Sequence, residues 1–98
     1  MTTLTLETEP LAAKGSVTSE KLIVDLVDGR SLSVPLAWYP RLQHASDDER
    51  QDCQLLGDGY AIAWPALDEH IGIEGLLAGK GSGESQRSLE RWLATRAS

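Results

Sequence analysis

Between residues 21 and 27 the chain passes through Leu22, Ile23, Val24 and Leu26, breaks at Asp28-Gly29, and resumes over residues 30–34 with Leu32 and Val34 in alternation. Two apolar runs on either side of an Asp-Gly pair predict a β-hairpin, because glycine supplies the positive φ that a tight turn needs. A further strand over residues 13–18, turning at Ser19-Glu20, extends the hairpin to a three-stranded meander. Residues 1–11 alternate Leu4 and Leu6 with polar residues up to Pro10, and read as a leader or an edge strand.

Pro35 ends the third strand, and residues 36–44 read as a short helix with Pro40 in its first turn, where a missing amide donor costs least. Ser46-Asp47-Asp48-Glu49 is a capping box: the serine hydroxyl can accept from an early helix amide while the glutamate three residues on reaches back. It predicts a helix over 47–56, stopped by Gly57 and turning Cys53 toward the core. Residues 60–64 alternate Tyr60, Ile62 and Trp64 with Ala61 and Ala63, the period of a strand, and Pro65 ends it. Ile71, Ile73, Leu76 and Leu77 lead into a short helix closed by Gly79. Lys80-Gly81-Ser82-Gly83 reads as a flexible joint, and from Glu84 onward Leu89, Trp92 and Leu93 fall at helical spacing on one narrow stripe. The expected fold class is α+β: a small antiparallel sheet, made of the meander and a later strand, packed with short helices. Its domain spans residues 12–80, followed by a joint and C-terminal amphipathic helix over 81–98.

Composition narrows the function. The 98 residues include 15 acidic and 9 basic side chains, for a net charge of -6. Residues 1–79 hold 13 acidic and 5 basic side chains, net -8, whereas residues 80–98 hold 2 acidic and 4 basic, net +2. An acidic body repels nucleic acid, so direct nucleic-acid binding is not expected, and a basic protein partner fits better. No run approaches the ~18 apolar residues of a membrane span, and the start lacks the basic and apolar regions of a signal peptide. With one cysteine the chain cannot form an internal disulfide, which suits a cytoplasmic location.

Candidate chemistry is sparse. The densest polar cluster, Asp68-Glu69-His70, holds the residue types of a metal site or an acid-base pair, with His44 as a possible distant member. Consecutive residues project in different directions, however, and the cluster reads as a solvated turn. Cys53 has no neighbouring histidine to activate it. No serine sits in a nucleophile elbow, and Gly57-Asp58-Gly59 leads into a strand, whereas a phosphate loop opens a helix. Neither a cofactor nor a metal is expected. The aromatics are more informative. Trp38, Tyr39 and Trp64 lie at element edges beside Pro and Arg41; they and Trp92 read first as buried structural anchors, since aromatics supply large core area, and as the alternative they join Arg41, Leu89 and Leu93 as candidate partner-binding residues, since Trp, Tyr and Arg are enriched at interfaces.

Several blocks, in order, carry a resemblance: Leu26-Val27-Asp28-Gly29-Arg30, Val34-Pro35-Leu36-Ala37-Trp38-Tyr39-Pro40-Arg41-Leu42, Trp64-Pro65-Ala66-Leu67-Asp68-Glu69 and Gly75-Leu76-Leu77-Ala78-Gly79. Over residues 17–80 the chain resembles the bacterial family called domain of unknown function 2442, and its tail from Gly83 to Trp92 is similar to the end of longer members. The resemblance implies a small α+β domain without established catalytic residues. Some such relatives carry a DNA-binding helix-turn-helix, and others look like the partner half of a toxin-antitoxin pair; a chain of this length suits the second. Asp68-Glu69-His70 stands where the family usually has Asp-Glu-Asp. The resulting expectation is a non-catalytic interaction or regulatory module, antitoxin-like, that binds a protein partner or itself and no membrane. The alternative is a small metal-dependent or acid-base enzyme using Asp68, Glu69 and a histidine.

Overall fold

A computed structural model describes residues 10–97. The meander is present as β1 (Ala12–Val17), β2 (Lys21–Leu26) and β3 (Ser31–Pro35), antiparallel throughout and in that spatial order. Alternation along β2 buries Leu22, Val24 and Leu26 completely or nearly so. The hairpin turn is a three-residue loop. Gly29, at φ +100°, donates to the Leu26 carbonyl (3.0 Å), and the Leu26 amide donates to the Arg30 carbonyl (2.7 Å). Asp28 keeps a negative φ and accepts from the Arg30 amide (3.0 Å), so the glycine alone provides the left-handed residue. The leader or edge strand expected over 1–11 lies outside the described residues, apart from Pro10 and Leu11.

After β3, one 3₁₀ turn at Leu36–Trp38 leads into α1 (Pro40–Gln43), with Pro40 at its first position. The capping box forms as expected at the start of α2 (Asp47–Gln51): Glu49 N donates to Ser46 Oγ (3.2 Å) and Ser46 N to Glu49 Oε1 (2.9 Å). The helix expected over 47–56 nevertheless stops at Gln51. Helix α2 buries no residue, so it has no apolar face to hold it on the body, and a single turn is marginal without one. Asp52 leaves helical space (φ -89°, ψ 70°), and β4 (Gln54–Leu56) pairs instead with β5 (Ala61–Trp64), Leu55 opposite Ile62. Gly57, at φ +56°, belongs to this second hairpin turn and not to a helix end. Cys53 therefore sits in the link between α2 and β4, half-buried against the core, where burial pushes its thiol pKa up.

Strand β6 (Glu69–Gly72) completes a second antiparallel sheet in the order β4-β5-β6. The two sheets meet where β1 packs on β4 and β5. Gly15 makes room there, since a side chain's Cβ would lie 2.8 Å from Ile62 Cδ1. Ile62, Trp64, Leu67 and Ile73 are fully buried at the junction, with the Trp64 indole N–H donating to the Arg50 carbonyl (3.0 Å). Helix α3 (Ile73–Leu77) closes at Gly79 in a Schellman arrangement: Lys80 N donates to Gly75 O (3.0 Å) and Gly79 N to Leu76 O (3.1 Å). Helix α4 (Gln86–Ala97) follows. No helix among the described residues is long and apolar enough to cross a membrane.

Candidate partner-binding site at Arg41

The stretch expected to be a flexible joint is tied to the body. Ser82 N donates to the Trp38 carbonyl (2.9 Å), the Tyr39 hydroxyl donates to the Lys80 carbonyl (2.9 Å), and Gly81 lies so near Trp38 that a Cβ would meet its carbonyl oxygen at 3.2 Å. These contacts deliver Glu84 to Arg41. The guanidinium forks onto this carboxylate, Nε 2.9 Å from both oxygens and Nη2 2.6 Å from Oε2, and its remaining edge donates to the carbonyls of Leu67 (3.0 Å) and Asp68 (3.4 Å). Only a seventh or less of either charged side chain is exposed. The fork holds the Glu84 carboxyl below its ordinary pKa, and Ser88 Oγ donates to the same oxygen (2.8 Å).

Trp92 covers this ion pair. Arg41 stacks on its ring at 5.1 Å and Arg96 at 4.6 Å, so one indole links two guanidinium groups. Arg96 in turn donates to both oxygens of Glu49, Nη1 to Oε2 at 2.9 Å and Nη2 to Oε1 at 2.6 Å. Helix α4 is thus clasped to the body near both ends by charge, while its apolar stripe is only partly covered: Leu89 is buried, Trp92 is partly buried against the core, and Leu93 is partly buried. Ser88, Trp92 and Arg96 recur every fourth residue on one face of α4, and Glu84, two residues before the helix begins, accepts from Ser88 from just outside it.

The candidate residues separate into three groups. Arg41 and Trp92 come together at the α4 contact, while Leu89 and Leu93 lie on the same helix, Leu89 buried and Leu93 partly buried. Trp38, 38% exposed, stands at its edge beside Gly81. Tyr39 and Trp64 offer no surface to a partner: both are core residues, 3% and 0% exposed. Burial, with the Glu69 charge adding to it, raises the Tyr39 pKa.

Asp68-Glu69-His70 is a turn at its first residue alone. Asp68 occupies the left-handed region (φ 53°) with its side chain in solvent, whereas Glu69 and His70 pair in β6 with Trp64 and Ala63 and project to opposite faces. Glu69 Oε1 accepts from the His70 amide (3.2 Å), and Oε2 is buried with no hydrogen-bond partner. Burial raises the Glu69 pKa, and the His70 amide and Arg41 offset part of that rise. The three neighbours do not converge, and among the described residues no three His, Cys, Asp or Glu side chains form a group able to hold a metal.

Two small antiparallel sheets joined through a shared core, with short helices and a C-terminal helix clasped by arginines, define a small α+β domain. The family of proteins of unknown function DUF2442 matches residues 16–82, more than half of the sequence, and the chain belongs to it. It is also similar to the crystal structure of a protein of unknown function from Rhodospirillum rubrum, with 34% identity and a TM-score of 0.70, over 81% of this chain and 98% of that one. No curated protein matches. The expected α+β fold is therefore the fold of the family.

Proposed function

We propose that the chain is a non-catalytic protein-interaction or regulatory module of the bacterial cytoplasm, with α4 and the adjoining Trp38 as its partner-binding surface. The observation that carries this reading is the composition of the α4 contact. An amphipathic helix held by two arginine-carboxylate forks and two arginine contacts to the Trp92 ring, with Trp92 and Leu93 only partly buried, presents the aromatic, arginine and apolar residues that concentrate at interfaces. The net charge of -6 favours a basic partner, and an antitoxin-like role beside a basic toxin is the finer form of the proposal. A photo-crosslinking residue placed at position 93 in the full chain, expressed in its native host, should capture one protein or a second copy, and the same residue placed at position 27 should not. Equal labelling from both positions contradicts the reading.

The buried, unpartnered Glu69 oxygen favours a second reading, acid-base catalysis, because perturbed carboxylates concentrate at active sites. A turnover abolished by Glu69→Gln and unaffected by Leu93→Glu would select it.

A further inference from the structure

A second surface, away from the α4 contact, carries its own chemistry. Pro10, Asp58, Tyr60, Gly72, Glu74 and Gly75 line an open cleft of about 520 Å³. Its walls are tied together: the Tyr60 carbonyl accepts from Ile73 N (2.9 Å), and the Gly59 carbonyl accepts from Ala12 N (2.7 Å). Tyr60 is 51% exposed, and its ring rests against Gly57, where a Cβ would meet it at 3.0 Å. A Cβ at Gly72 or Gly75 would meet nothing within 4 Å, so the glycines leave space on the cleft side. Concave shape, a presented aromatic face and a small number of polar groups are what a binding cleft requires.

The charge of the cleft selects the occupant. Arg30, Arg41, Arg50 and Arg96 each pair with a carboxylate elsewhere in the molecule, whereas Asp58 and Glu74 have no cation among the described residues. Residues 1–9 carry Glu7 and Glu9 and no lysine or arginine, so their side chains offer no guanidinium or ammonium to this charge. A planar guanidinium can stack on Tyr60 and donate to carboxylates at its edge, which a compact ammonium does less well.

We propose that this cleft is a docking site for an arginine-bearing segment of a basic protein partner. The partner class rests on the interaction reading above, while the cleft itself is independent of α4. The test uses the full chain and a fluorescein-labelled peptide with two arginines among glycines and serines, together with the same peptide carrying citrulline in place of arginine. Anisotropy should show saturable binding of the arginine peptide. Citrulline, the pair Asp58→Asn with Glu74→Gln, and Gly75→Leu, which fills the cleft without a positive φ to strain, should each weaken it at least tenfold. Unchanged affinity in the folded variants, or equal affinity for the citrulline peptide, overturns the assignment. Leu93→Glu should leave peptide binding unchanged. Arginine-selective binding without any partner crosslinked at position 93 would retain the cleft and discard the α4 reading, and the opposite pair of results would do the reverse.

Discussion

Arg96, in the last turn of α4, donates to both oxygens of Glu49, the residue 47 positions earlier whose carboxylate also closes the capping box of α2. One side chain therefore holds two elements. The Arg96 fork, with the Ser46 amide behind it, depresses the Glu49 carboxyl from its ordinary 4.5 to about 2. A depressed pKa in the folded state contributes stability above the unfolded value, and that contribution is lost as pH falls from about 4.5 to about 2. Because both side chains remain about a quarter exposed, solvent screening limits the pair to about 1 kcal/mol. Arg96→Gln should lower stability by about that much at pH 7 and by progressively less through this window, read from urea melts at several pH values. Ser46→Ala, which removes the other half of the capping box, should cost about 1 kcal/mol on its own.

Glu69 titrates in the opposite sense. Its folded pKa is raised by burial, so the protonated form is favoured in the native state: stability is fully present below the unfolded pKa and is lost as pH rises through the folded one. Glu69→Gln should therefore stabilise the protein at neutral pH, where burial of the charge is unfavourable, and lose that advantage as the pH falls through the ordinary carboxylate range and below. A denaturation midpoint that moves equally at neutral and at acidic pH would show that Oε2 is not desolvated.

Arg41→Met removes the fork, the two carbonyl contacts and one of the two cation-π contacts to Trp92, and leaves Glu84 almost buried without a counter-charge. Breaking one side of such a pair costs about 3 kcal/mol or more. Removing Glu84 as well, by Glu84→Gln in the same chain, should recover part of the loss, because the uncompensated charge disappears with it. A double-mutant cycle with no coupling contradicts the clasp.

Two glycines separate backbone from side-chain constraint. At Gly59 (φ +107°) a Cβ would run into the backbone of Ala12, which cannot yield, so Gly59→Ala should cost more than about 3 kcal/mol. At Gly15 the obstacle is the end of the Ile62 side chain, which can turn aside, and Gly15→Ala should cost about 1 kcal/mol. Thermal melts of the two variants rank them directly.

Local signals in the sequence were sufficient for the meander, the capping box and the Schellman stop at Gly79, because each is decided within a few residues. They failed where the deciding partner is distant. Leu55-Leu56 before Gly57 has the look of a helix end, yet pairing with β5 takes those residues into a strand. Glu69 reads as part of a solvated turn, and only the register of β6 buries it. The clasp joins residues 43 apart, Arg41 and Glu84, which no local pattern connects. The four-residue spacing of Ser88, Trp92 and Arg96 marks one helix face in the sequence, whereas Glu84 lies before α4 and meets Arg41 only because the link over residues 80–82 is tied to Trp38 and Tyr39.

On the proposed reading, the partly exposed stripe of α4 binds another protein. Leu93→Glu tests it with least disturbance, because Leu93 lies in neither the core nor the clasp. Tagged wild-type and variant chains, matched by circular dichroism and melting temperature, are purified from the native host, and the co-purifying proteins are identified and quantified by mass spectrometry, then reconstituted with the purified chain. One stoichiometric protein partner, or a second copy of the chain, should be recovered, and its recovery and reconstituted binding should fall at least tenfold in the variant. Identical recovery from both chains, with full-length protein monomeric by light scattering, would contradict it.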